Sequence, residues 1–86
     1  MANSDDVALR GEILKAHAEA ACSQARTLVA QYCELAKLVA ATEERLAATM
    51  DRVAAQQPAR ARHCRARGQR AREQAALWRQ RAGQLG

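Results

Sequence analysis

Eighty-six residues with a net charge of +5, one Trp, one Tyr and no Phe make a single small domain with too few bulky side chains for a deep core, so burial against another chain is expected. No apolar run approaches the roughly 20 residues of a membrane span, and residues 1–6 are polar and acidic, so neither a membrane partner nor a secretory leader is expected and the chain reads as cytoplasmic. The charge is unevenly divided: residues 1–58 carry six Lys or Arg against eight Asp or Glu, whereas residues 59–86 carry eight Arg against Glu73 alone.

Asn3 and Ser4 are suited to cap a first helix, and Asp5 and Asp6 place negative charge at its positive end. A helix is predicted over about 5–56. Along it, Val7, Leu14, Ala21, Leu28 and Leu35 recur every seven residues, and Ala18, Ala25, Tyr32, Val39, Leu46 and Val53 form a partner line, together the seam of a coiled coil. Such a helix is roughly 78 Å long, ordinary for a coiled-coil arm. Gly11 is its internal weak point.

Pro58 pushes Gln57 away from helical angles yet suits the first turn of a new helix, so a reversal over about 57–59 is predicted, followed by a second helix over about 59–85. Past the proline the apolar positions fall one place later than the first frame requires, at Ala61, Cys64, Gly68, Ala71, Ala75, Trp78, Ala82 and Leu85. Two separately phased helices meeting at a turn account for that jump. In the folded-back chain, residues whose numbers sum to about 114 face one another, with Trp78 a knob beside Tyr32 and Leu35. The predicted fold is all-α, an antiparallel two-helix hairpin with a long first helix. The second helix runs out near Leu28, which leaves Val7, Leu14, Ala18, Ala21, Ala25 and Leu28 as a strip for self-association, and a dimeric four-helix bundle is the expected assembly.

No nucleophile and base are spaced as a working pair and no Gly-rich loop joins a strand to a helix, so the chain reads as non-enzymatic, with no catalytic residues and no cofactor. His17, His63, Glu43 and Glu44 read as solvated side chains. Three cysteines, Cys22, Cys33 and Cys64, lack a C-x-x-C pair or a histidine at ligand spacing; reduced thiols are expected, with no metal site and no disulfide.

The strongest constellation is the arginine row of the second helix, Arg60, Arg62, Arg65, Arg67, Arg70, Arg72, Arg79 and Arg81. In the facing stretch, the matching flanks are Ala40, Ala41, Ala47, Ala48, Ala54 and Ala55, so few acids are expected to meet these arginines inside the hairpin, and the row is a surface for anions or a partner. The absence of outward aromatics and base-reading amides favours a partner protein, in a regulatory role and with the chain as a homo-oligomer, over the alternative of DNA or RNA.

The stretch 41–58, from Ala41-Thr42-Glu43-Glu44-Arg45-Leu46 to Gln56-Gln57-Pro58, followed by the Arg and Ala helix, resembles short Ala/Arg-rich helical-hairpin proteins of high-GC actinobacteria. The resemblance implies a hairpin and a bacterial cytoplasm but no activity. Glu19, Ser23 and Arg26 have the spacing that opens the cyclic-di-GMP-binding motif of certain coiled-coil anti-sigma factors, although Ala30 replaces that motif's amide and Glu34 stands at its second acid. A cyclic-dinucleotide-responsive regulator is therefore the second alternative. A small-molecule ligand is otherwise not expected.

Overall fold

A computed structural model describes residues 4–85 as two helices and the turn between them. Helix α1 spans Ser4–Gln56, a 3-10 turn spans Pro58–Arg60, and helix α2 spans Ala61–Leu85. The molecule is a rod of 85 × 15 × 13 Å. Ser4 already belongs to α1, so it is not a cap outside the helix; Asn3 lies outside the described residues. Asp5 and Asp6 occupy the first turn, where negative charge meets the unsatisfied N–H groups of the helix end.

The reversal falls where the proline restricts its neighbour. Gln57 leaves the helical region at φ −129°, ψ 84°, while its N–H still donates to the Val53 carbonyl at 2.8 Å and closes the last turn of α1. The Gln57 carbonyl then accepts from the Arg60 N–H at 2.9 Å, so the chain re-enters helical geometry within one 3-10 turn. The reversal thus extends one residue further than the expected 57–59, and the α-helical part of the second helix begins at Ala61.

The helices pack antiparallel in nearly the expected register. The Cys33 thiol donates to the Ala82 carbonyl at 3.6 Å, and a Cβ at Gly68 would sit 3.5 Å from the Ala47 carbonyl; both pairs have residue numbers summing to 115, close to the expected 114.

The rotation of α1 is the finding that sequence periodicity misassigned. Ala36, Ala40, Ala47 and Ala54 are buried against Cys64, Gly68, Ala71, Ala75 and Ala82, and Cys33, Met50, Ala61 and Trp78 are half-buried beside them. Leu35, expected on the seam, is 58% exposed, whereas Val39, Leu46 and Val53 of the expected partner line are half-buried at the seam's edge. Ala40, Ala47 and Ala54, expected on its flank, are its centre. Cys33, Ala40, Ala47, Ala54, Ala61, Gly68, Ala75 and Ala82 are spaced by seven throughout, so the hairpin seam keeps one phase across the turn. The apparent one-residue jump at Pro58 arises because the larger apolar stripe of α1 is a different line, one residue ahead of this seam and therefore rotated from it by about 100°.

Small residues explain the choice. Two helices approach closely only where both present methyl-sized or smaller side chains, and Gly68 has ordinary van der Waals room for a Cβ but is already enclosed by Met50, Ala47 and Asp51. No large side chain is fully buried among the described residues. A methyl buried here contributes roughly 0.8 kcal/mol, a modest core for helices of this length.

Candidate interaction surface

Viewed along the hairpin, the residues flanking the small-residue seam divide into two unlike sides. On one side lie Lys37, Glu44 and Asp51 of α1, the residues four beyond Cys33, Ala40 and Ala47. Glu44 receives two parallel bonds from Arg79, Nε to Oε1 and Nη2 to Oε2, each 2.9 Å. The Arg72 guanidinium bonds the Asp51 carboxylate. These four residues line a single surface groove with Ala48 and Ala76. The forked Arg79–Glu44 pair fixes orientation as well as charge, and the Arg72–Asp51 pair repeats the cross-helix link one heptad away.

Two expectations are corrected here. Glu44 does not stand free in solvent, and Glu43 is half-buried at the edge of the seam. Arg72 and Arg79 spend their charge inside the hairpin. A seam centred on the larger apolar stripe puts alanines opposite these arginines; the observed rotation of α1 brings Glu44 and Asp51 there instead.

The other side is apolar on α1 and basic on α2. Tyr32, Val39, Leu46 and Val53 precede the seam residues by one, and Leu46 shares a surface groove with Arg67, Arg70, Glu43 and Glu73. Arg60, Arg67 and Arg81 recur at multiples of seven along this edge of α2. Arg81 stacks over the Trp78 ring at 5.0 Å, a cation–π contact that shields a half-buried indole, and Arg60 donates to the Gln57 side chain at 3.5 Å. Arg62 and Arg65 are exposed near the turn. The eight arginines therefore do not form one row: two are tied to acids, two are held locally, and Arg67 and Arg70 border the apolar edge.

Beyond the end of α2 every described residue of α1 up to Gln31 is exposed. The self-association residues expected from sequence, Val7, Leu14, Ala18, Ala21, Ala25 and Leu28, all lie in this arm, with Leu14 69% exposed. They join exposed Tyr32 and Leu35 and half-buried Val39, Leu46 and Val53 in one stripe running the length of α1. Thr42 interrupts it in sequence, and its hydroxyl donates to the Leu38 carbonyl at 3.0 Å.

Glu19, Ser23 and Arg26 are exposed on the arm. Glu19 and Arg26 continue the line of Cys33 and Ala40 beyond the reach of α2. The Ser23 carbonyl accepts from the Thr27 hydroxyl at 3.1 Å. The three cysteines grade from exposed Cys22 through half-buried Cys33 to buried Cys64. Among the described residues, no group of three or more His, Cys, Asp or Glu side chains is placed to hold a metal ion, and no helix is long and apolar enough to cross a membrane.

No protein-family model matches this chain, and no curated protein and no solved structure matches it.

Proposed function

We propose that this chain is a non-enzymatic coiled-coil interaction protein that works as a homo-oligomer and offers its basic helix to a partner protein. One observation carries the reading. Helix α1 bears two seven-residue seams about 100° apart, and α2 occupies the smaller one, while the stripe holding Leu14, Leu28 and Leu35 stays exposed. A soluble chain seldom keeps so long an apolar strip in water. A second helix on that strip turns the hairpin into a bundle with a larger core than its alanines provide.

Sedimentation equilibrium tests this. The chain is expected to be oligomeric at micromolar concentration, and Leu14→Asp to make it monomeric while leaving the α1–α2 hairpin helical, because a carboxylate buried in a dry interface costs several kcal/mol. A monomer at high micromolar concentration, or an assembly that survives Leu14→Asp, refutes the reading.

A further inference from the structure

The geometry points to a specific occupant for the stripe: the α1 helix of a second copy, running antiparallel, with Arg67 of each hairpin paired in trans with Glu12 of the other copy's arm. This rests on the self-association proposed above and adds its direction, register and charge code.

Length sets the register. The stripe begins at Val7 and ends at Val53, so an antiparallel copy covers it fully only when facing residues sum to about 60. The two lines then interleave as an antiparallel coiled coil requires. Leu14 meets Leu46, Leu28 meets Tyr32, Leu35 meets Ala25, and Gly11 and Ala18 lie opposite Thr49 and Thr42, where the stripe is weakest. A strip about 70 Å long and 10 Å wide offers on the order of 1,400 Å² over the two copies, within the range of stable interfaces.

Charge sets the direction. In a parallel, in-register pair the two basic α2 helices would lie level with each other. In the antiparallel pair the α2 helices sit at opposite ends, each alongside the partner's arm. With hairpin register 115 and dimer register 60, an α2 residue comes level with the partner's residue about 55 places lower. Arg67 is then level with Glu12, and Gln74 with Glu19. Glu12 and Glu19 lie on the same seven-residue line as Cys33 and Ala40, in the part of it that α2 does not reach. Arg67 lies on the edge of α2 that borders the stripe. Within one chain these opposite charges are separated by the length of the arm. The complementarity stops at Arg81, which would come level with Arg26 and is instead drawn over Trp78.

Charge reversal in mixtures tests the pairing. Arg67→Glu and Glu12→Arg are each expected to raise the dimer dissociation constant about tenfold, since a C2 dimer contains the contact twice and each reversal replaces attraction with repulsion. An equimolar mixture of the two variants is expected to recover the original affinity as a heterodimer, because both contacts are then again of opposite sign. Direction is read separately by spin labels on a chain with Cys22, Cys33 and Cys64 changed to Ala: labels at His17 should be roughly 40 Å apart across the dimer and labels at Gln31 within about 15 Å, whereas a parallel dimer brings both pairs close. A dimer with close His17 labels, or a mixture no tighter than its parents, overturns this inference while leaving self-association intact; a monomeric parent chain overturns both.

Discussion

Gly68 offers a test whose sign reverses with side-chain size. A methyl added there would lie 3.4 Å from the Met50 Cβ, 3.5 Å from the Ala47 carbonyl and 3.5 Å from the Asp51 carboxylate, which is ordinary contact and no clash. Gly68→Ala also removes the roughly 1 kcal/mol that glycine costs in a helix interior, and burial of the new methyl adds up to about 0.8 kcal/mol. We expect a net gain of about 1 kcal/mol, or roughly 4–8 °C in Tm for a domain of this size. Gly68→Leu must push three further carbons into the same space, which forces the helices apart and costs about 1–3 kcal/mol. Circular dichroism melts at one fixed protein concentration, needed because association shifts Tm, compare the three chains. A Leu variant as stable as the Ala variant would mean that α1 and α2 do not approach closely at Gly68, and the small-residue seam would be wrong.

Spin labels at Thr49 and Gln69 should lie within about two helix diameters, against roughly 30 Å for twenty residues of a continuous helix; the longer distance would remove the hairpin. Maleimide should modify Cys22 at once, Cys33 more slowly and Cys64 only at the rate of hairpin opening, following their burial, and mass spectrometry of timed samples that found Cys64 first would contradict the seam. Glu44→Gln should destabilise the hairpin by less than about 1 kcal/mol, with the loss shrinking at high salt, because the Arg79 pair is half exposed. Unrelated duplex DNA should bind only weakly at physiological salt; tight binding that collapses when Arg62, Arg65, Arg67 and Arg70 are changed to Gln would favour a nucleic-acid partner.

The sequence by itself determined the helices, the place of the turn and the register. Long uninterrupted heptads make α1, the restriction Pro58 imposes on Gln57 ends it, and chain length then decides which residues lie level. The seam of α2 was legible as well, since Ala61, Cys64, Gly68, Ala71, Ala75 and Ala82 recur at three- and four-residue spacing along one face. What sequence periodicity misassigned was which face of α1 meets α2. Two stripes satisfy the same seven-residue repeat, and hydrophobicity favours the one with Leu14, Leu28 and Leu35 because its side chains are larger. The tertiary structure chooses the line of Cys33, Ala40, Ala47 and Ala54, because small residues opposite small residues allow close approach along the whole of α2 and because that rotation alone brings Glu44 to Arg79 and Asp51 to Arg72. Side-chain size, which counts against alanine when burial is judged one helix at a time, counts in its favour once the distance between two helices is set.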